Sequence, residues 1–114
     1  MSFRRGDVVI VASGSGLAGK PRPALVIQDD SFADLSTMVV LLFTTHGQTH
    51  PLLRPEYIPT PENGLREASR LMVHAPTTVR RDEIGKRVGA FTSAEMGNVE
   101  HLLLLLLGFL RPSR

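Results

Sequence analysis

Two apolar runs of strand length near the N-terminus constrain the fold of this chain more than any other feature. They cover residues 7–12 and 23–29 and are joined by a Gly/Ser-rich segment, residues 13–19. Runs of this length around a turn-rich segment are typical of a long β-hairpin.

Pro21 and Pro23 favour extended backbone at Lys20 and Arg22. The Arg22 guanidinium would therefore lose little backbone freedom on binding an anion, which suits a phosphate or a carboxylate.

Further strand-length runs predict that the rest of the chain is also mainly β. They lie at residues 37–43, 52–58 and 69–75, with a shorter one near 86–91, and Gly, Pro, Asn or Asp separates them. The unbroken apolar stretch at 38–43 indicates a central strand covered on both faces. Run 52–58 contains Arg54, Pro55 and Glu56 and is typical of an edge strand. We expect a small barrel-like sheet of antiparallel strands.

One helix is predicted at the C-terminal end of the chain. Thr92 and Glu95 have the spacing of a capping box, so a helix should begin near Ser93 and run to about residue 110, before Pro112. The leucines at 102–107 place apolar side chains on every side of this helix. One sheet face cannot cover them all, and we expect part of this surface to meet another chain.

Length and composition set limits on the kind of protein. A chain of 114 residues should form a single domain, residues 1–114. A net charge of +2 is compatible with a nucleic-acid-binding protein but does not require one. The chain has no Trp, five Phe and one Tyr, which does not favour extensive base stacking. Without a secretory signal or an apolar run long enough for a bilayer, we expect a soluble, cytoplasmic protein that does not bind membranes.

Several segments together resemble the MazF/PemK family of toxin endoribonucleases over residues 5–96. The resemblance is carried by Gly6-Asp7-Val8, Arg22-Pro23-Ala24-Leu25-Val26, Thr44, Pro61-Glu62-Asn63-Gly64-Leu65, Ile84-Gly85-Lys86-Arg87-Val88-Gly89 and Thr92-Ser93-Ala94-Glu95-Met96. It implies the SH3-like barrel that this family shares with the gyrase poison CcdB. It also implies the toxin of a type II toxin–antitoxin system, which cuts single-stranded RNA at short sequences and arrests translation.

The resemblance also implies how such a toxin works and what it binds. Cleavage would need no metal and no other cofactor, because the RNA 2′-hydroxyl attacks the adjacent phosphorus and leaves a 2′,3′-cyclic phosphate and a 5′-hydroxyl. The usual motifs of hydrolases and P-loop enzymes are absent from the sequence, which agrees with this route. We expect a homodimer that a cognate antitoxin neutralises by laying an acidic, partly disordered tail over a basic groove.

The family's catalytic pair corresponds here to Arg22 and Thr44. An Arg beside the phosphorus stabilises the negative charge that develops on its oxygens. A Thr hydroxyl is no strong base, so Thr44 would position the phosphate or the 2′-hydroxyl. Some family members carry a catalytic Asp at the position that we align with His74, which makes His74 the third catalytic candidate. A histidine there could transfer the proton itself, could leave the site impaired, or could be a neutral core residue.

Other polar residues near these positions are candidates for RNA binding: Lys20, Thr45, His46, His50, Arg54 and Arg70. His46 or His50 could also act as general acid or base. Segment 13–18 lacks the acidic residue that many family members carry before the Arg, and no substitute base is evident in the sequence. Two alternatives stay open. One is a CcdB-like gyrase-binding toxin, which the absence of Trp disfavours, and the other is a degenerate member that binds RNA and antitoxin but cleaves weakly.

Overall fold

The computed structural model of the chain describes residues 2–12, 20–48 and 50–111. Its strands are β1 (Asp7–Val11), β2 (Arg22–Val26), β3 (Thr37–Thr44), β4 (Glu56–Tyr57), β5 (Ser69–Leu71), β6 (Thr77–Arg80) and β7 (Ile84–Ala90), followed by helix α1 (Ser93–Leu106). All pairings between these strands are antiparallel, in the order β4-β5-β3-β2-β1-β7, with β6 also on β3. The mainly β fold with a C-terminal helix is confirmed.

Strand β3 is the centre of the sheet, as its unbroken apolar sequence predicted. One edge pairs with β6 through residues 37–40 and with β5 through residues 43–44, while the other edge pairs with β2. At the far side of the sheet, the register between β1 and β7 shifts after Val8 and again after Ile10. Such bulges bend a strand and increase its twist, so the sheet curls into a half-barrel.

Alternate side chains of the curled sheet supply two cores. Val8, Leu25 and Leu41 lie on the side that α1 covers, where they join Phe43, Leu71, Phe91, Met96, Val99 and Leu102. Their neighbours Val9, Val26 and Val40 lie on the other side with Met38, Val79 and Ile84. Because the side chains of a strand alternate between faces, β1, β2 and β3 are apolar at consecutive positions and covered on both sides.

Two predicted strands are shorter in the structure than in the sequence pattern. Of run 52–58, only Glu56–Tyr57 is a strand, and it pairs only with β5, so its edge position is confirmed. Pro51 and Pro55 have no N–H to give to a ladder, and residues 51–53 form a turn. Run 69–75 ends as a strand at Leu71, because the chain turns and the Ala75 N–H bonds to the Met72 carbonyl at 3.2 Å.

The structure also has a strand that the run analysis did not predict, and a shorter helix. Strand β6, rich in β-branched residues, pairs with the first half of β3. Helix α1 starts with the predicted capping box between Thr92 and Glu95, which is confirmed. It ends at Leu106 rather than near 110, because Gly108 takes φ +81° and closes a Schellman motif, with the Phe109 N–H on the Leu104 carbonyl. Within the described ranges, no helix has both the length and the apolar character needed to cross a membrane.

Candidate active site

Arg22 is the first residue of β2, which lies between β1 and β3 in the sheet. It pairs with Val11 of β1, and its side chain is half-buried. On the other side, β2 pairs with β3 from Val26–Val40 to Ala24–Leu42. Arg22 starts β2 two residues before the last of these pairs, and Thr44 ends β3 two residues after it, so both lie at the same end of the two strands, where they line one cleft. The sheet therefore brings the two predicted catalytic residues together from positions 22 residues apart in the sequence.

Thr44 ends β3, and its side chain is 8% exposed. Its Oγ1 accepts a hydrogen bond from the His46 N–H at 3.1 Å and donates to the His46 carbonyl at 3.5 Å. This local bonding holds the hydroxyl at the point where the strand becomes a loop. The geometry suits a group that orients a substrate oxygen, because the Thr44 hydroxyl is anchored and can still redirect its proton.

A cleft of about 600 Å³ opens at this end of the sheet. Its apolar part is formed by Ile10, Pro21, Pro23, Phe43, Leu65 and Val88, and its polar part by Lys20, Arg22, Thr44, Thr45, His46, Arg66, Glu67, Ser69 and Lys86. The size is that of a small-molecule site, and the mixed lining suits a ligand with flat apolar faces and anionic groups. A nucleotide has both.

Phe43 lines the apolar part of the cleft and also packs in the protein core. Its ring lies edge-on to Phe91 with centroids 5.9 Å apart, and to Tyr57 at 6.4 Å. Burial raises the pKa of Tyr57, Glu95 raises it further, and a hydrogen bond with Asn98 opposes the shift. Tyr57 therefore stays neutral in the folded protein at physiological pH and serves as part of the packed support beneath the cleft.

The wall opposite β2 and β3 is an irregular segment fixed by the buried Asn63. The Asn63 Oδ1 accepts from the N–H groups of Thr60 and Leu65, both at 3.0 Å, and its Nδ2 donates to the Ile58 carbonyl at 3.0 Å. Gly64 has φ +68°, and a Cβ there would lie 2.1 Å from the Val88 carbonyl oxygen. This tight approach places Leu65, Arg66 and Glu67 along the cleft.

The charges around the cleft favour an anion. Lys20, Arg22, Arg66 and Lys86 are cationic, whereas Glu67 is the one carboxylate among the lining residues that the structure describes. Clefts lined mainly by one sign of charge concentrate ligands of the opposite sign. Together with the anchored Thr44 hydroxyl, the arrangement can hold a phosphate and stabilise additional negative charge on it.

Comparisons with known proteins identify the kind of protein that carries this cleft. Residues 4–107 match the family model of the PemK-like, MazF-like toxin of type II toxin–antitoxin systems. The chain belongs to this family. A probable endoribonuclease MazF of Mycolicibacterium smegmatis is 42% identical over 106 residues, which cover 93% of this chain and 97% of that protein. Family and relative together confirm the predicted MazF-like toxin endoribonuclease of a toxin–antitoxin system.

Solved structures of an endoribonuclease and of a MazE–MazF complex show the same fold at low sequence identity. An endoribonuclease in complex with its cognate antitoxin, from a mycobacterial species, superposes with a TM-score of 0.75 at 22% identity, covering 97% of this chain and all of that one. MazE–MazF of Deinococcus radiodurans gives a TM-score of 0.73 at 17% identity, covering 93% of this chain and 96% of that one. These likenesses concern the fold, and they confirm the predicted barrel class.

The MazF-like fold brings five of the predicted site residues to the cleft: Lys20, Arg22, Thr44, Thr45 and His46. His50 is exposed, and its Nδ1 accepts from the N–H groups of Leu52 and Leu53 at 3.1 and 3.0 Å. The Arg54 Nη1 lies 3.5 Å from the His46 carbonyl, so Arg54 contacts the His46 loop without lining the cleft.

Two further predicted site residues of the MazF-like chain lie outside the cleft lining. Arg70 sits in β5, where its backbone pairs with Thr44 and Glu56. His74 is exposed in the turn after β5. Its catalytic role stays a prediction, and its position lends that role no support. Segment 13–18, where the sequence lacks the acidic residue common in the family, lies outside the described residues.

The cleft of the MazF-like chain contains four polar residues that the sequence reasoning missed: Arg66, Glu67, Ser69 and Lys86. Lys86 of β7 pairs with Ile10 of β1. Bulges shift the register on both sides of this pair, so the position of Lys86 at the cleft does not follow from a regular strand pairing. Arg66 and Glu67 follow the turn around Asn63. The Asn63-Gly64 pair in the sequence indicates that turn. Only the folded chain shows that the side chains after the turn line the cleft.

Proposed function

We propose that this MazF-like toxin is a metal-independent, sequence-selective endoribonuclease that cleaves single-stranded RNA in the cleft described above. The observation that supports the proposal is that Arg22 and Thr44, on the adjacent strands β2 and β3, line one cationic cleft. In RNA, the 2′-hydroxyl is an internal nucleophile, so the protein needs to supply position, charge and proton transfer rather than a nucleophile of its own.

The chemistry divides between the two central residues. The 2′-oxygen forms a bond to the adjacent phosphorus, and the bond to the 5′-oxygen of the next nucleotide breaks, leaving a 2′,3′-cyclic phosphate and a 5′-hydroxyl. The Arg22 guanidinium can donate two parallel hydrogen bonds to the phosphate oxygens as their charge increases. The Thr44 hydroxyl orients the scissile group. Lys20, Arg66 and Lys86 hold neighbouring phosphates, and cleavage of mRNA in the cytoplasm would arrest translation.

The experiment for this function is RNA cleavage in the presence of EDTA. Purified protein is incubated with a long single-stranded RNA, and the new ends are mapped by sequencing, alongside Arg22→Ala and the control Arg4→Ala, which removes an exposed arginine outside the cleft lining. We expect discrete cuts with 5′-hydroxyl ends from wild type and from Arg4→Ala, and cleavage at least about 10²-fold slower from Arg22→Ala. Intact RNA that is nonetheless bound by wild type would instead support the degenerate reading.

The cationic cleft also suits the acidic, partly disordered tail of a cognate antitoxin. An antitoxin is bound to one of the structurally similar endoribonucleases. A polyanionic peptide and RNA would compete for the same cations, and a disordered tail can order along the cleft as it binds. An antitoxin peptide should therefore inhibit cleavage competitively, with affinity that falls as salt rises.

A homodimer is the assembly that the helix surface favours. Leu104, Leu107 and Phe109 are 42%, 60% and 78% exposed. With Glu100 and Leu103 they line an apolar groove of about 350 Å³. A contiguous apolar surface of this kind marks an interaction site. Leu107→Glu should shift the protein from dimer to monomer in sedimentation velocity, whereas the exposed helix residue His101, which does not line the groove, can be changed to Glu as a control for the added charge.

A further inference from the structure

We propose that Glu67 is the proton acceptor for the 2′-hydroxyl, an inference that rests on the RNA cleavage proposed above. The reaction requires a group that removes this proton, and neither the Arg22 guanidinium nor the Thr44 hydroxyl can accept one near neutral pH. The sequence around Arg22 offered no substitute for the acid that many family members carry before the Arg. The fold supplies a carboxylate from a segment 45 residues away.

The backbone of Glu67 is anchored on both sides of the residue. On its N-terminal side, the Asn63 Oδ1 fixes Leu65 through a 3.0 Å hydrogen bond to the Leu65 N–H. On its C-terminal side, the Ser69 Oγ donates to the Glu67 carbonyl at 2.8 Å, and Ser69 itself is 3% exposed in β5. Glu67 itself is exposed at the cleft. A fixed backbone with an accessible side chain is the arrangement that proton transfer to a bound substrate requires.

Five of the other acidic residues have structural partners. Asp7 pairs with Arg87, Glu100 with Arg5 and Asp82 with Arg80, while Glu83 and Glu95 complete capping boxes. Glu67 lies instead among cations, in a cleft that suits a polyanion. A carboxylate there repels phosphate and weakens binding. Because the Glu67 carboxylate weakens the binding of phosphate, its contribution to the function would lie in the chemical step.

The proposed step is balanced in protons and bonds. The Glu67 carboxylate takes the 2′-hydroxyl proton as the 2′-oxygen bonds to phosphorus. The bond from phosphorus to the 5′-oxygen breaks, and that oxygen takes a proton from the His46 imidazolium, the histidine that lines the cleft. Glu67 ends protonated and His46 neutral, and exchange with water restores both. Arg22 holds the charge on the non-bridging oxygens throughout.

The test separates binding from chemistry. Single-turnover cleavage is measured in EDTA across pH for wild type, Glu67→Gln, Glu67→Asp and Glu62→Gln. The last removes the same charge from an exposed residue of the same segment that does not line the cleft. The affinity for an RNA carrying a 2′-O-methyl group at the mapped cut site is measured by fluorescence anisotropy. Arg22→Ala is included, because it reports on the proposed function itself.

We expect Glu67→Gln to cleave about 10²- to 10⁴-fold more slowly. It should bind the methylated RNA as tightly as wild type or more tightly, and it should lose the rise in rate on the acid side of the pH profile. Glu67→Asp should recover part of the rate, and Glu62→Gln should match wild type. A Glu67→Gln rate within about fivefold of wild type would overturn the assignment, as would an altered cut sequence with weaker binding, which would make Glu67 a base-reading residue. If wild type itself does not cut, the proposed function fails instead.

Discussion

The two walls of the cleft are built in different ways. Arg22 and Thr44 lie on strands at the centre of the sheet, where β2 has hydrogen-bonded neighbours on both sides. Arg66 and Glu67 lie on an irregular segment held by the buried side chains of Asn63 and Ser69 and by the close approach of Gly64 to β7. The first wall is supported by many equivalent bonds, and the second depends on a few single contacts. Changes in the two walls should therefore have different consequences.

Apart from the Glu67→Gln variant, the largest expected effect on rate comes from the strand wall. Removal of one charge-stabilising donor typically costs about 10²- to 10³-fold in rate, and we expect this loss for Arg22→Ala. Thr44→Val should cost less, because it removes an orienting hydroxyl and keeps the side-chain shape. Since the two residues act on one phosphate, the double variant should be little slower than Arg22→Ala alone. Single-turnover rates of the four proteins measure this coupling, and strictly multiplicative losses would show that the two residues act separately.

Substitutions that disturb the backbone of the opposite wall should lower the folding stability of the protein. In Gly64→Ala, the new Cβ would lie 2.1 Å from a backbone oxygen at φ +68°, so the segment must move. We expect a loss of more than about 2 kcal/mol in urea denaturation. Gly97→Ala is the matched control, because no heavy atom lies within 4 Å of its Cβ position in α1. It should gain about 0.5–1 kcal/mol. Equal stabilities of the two variants would contradict this account of the wall.

Other cations that line the cleft should contribute smaller increments to RNA affinity. Lys86→Ala and Arg66→Ala should each weaken binding of single-stranded RNA and lower the slope of log affinity against log salt by about 0.7. Arg111→Ala serves as the control, because Arg111 is exposed and does not line the cleft. Fluorescence anisotropy at several salt concentrations gives these slopes. An unchanged slope for Lys86→Ala would place its ammonium away from the phosphates.

The smallest expected effect concerns the support beneath the strand wall. Because burial raises the pKa of Tyr57 above its ordinary value of 10.0, the folded protein keeps the phenol proton to higher pH than the unfolded chain does. Tyr57 therefore makes stability fall as pH rises above about 10. Tyr57→Phe should remove this part of the decline. Chemical denaturation of both proteins between pH 8 and 11 tests it, and parallel curves would contradict the burial effect.

The difference between the walls also explains how much the sequence predicts. Local signals were sufficient for β1, β2, β3 and the capping box of α1, because apolar runs and capping spacings report on neighbouring residues. They also singled out Arg22, which lies between two prolines and lines the cleft. They did not predict that Glu67 and Lys86 line the cleft. The positions of these two residues depend on Asn63, on close backbone contacts and on shifted strand register. Strand β6 was not predicted because it is short, and its extended conformation depends on pairing with β3 rather than on a local apolar pattern.

The most direct test of the central claim uses the RNA rather than the protein. Once a cut is mapped, a short RNA is made with a single 2′-deoxy nucleotide on the 5′ side of that phosphate and incubated with wild-type protein in EDTA. The account predicts that this RNA binds normally and is not cut at that position, while the all-ribose RNA is cut to a 2′,3′-cyclic phosphate and a 5′-hydroxyl. Cleavage of the deoxy-substituted RNA at an unchanged rate would contradict the attack by the 2′-hydroxyl on which the roles of Arg22, Thr44 and Glu67 depend.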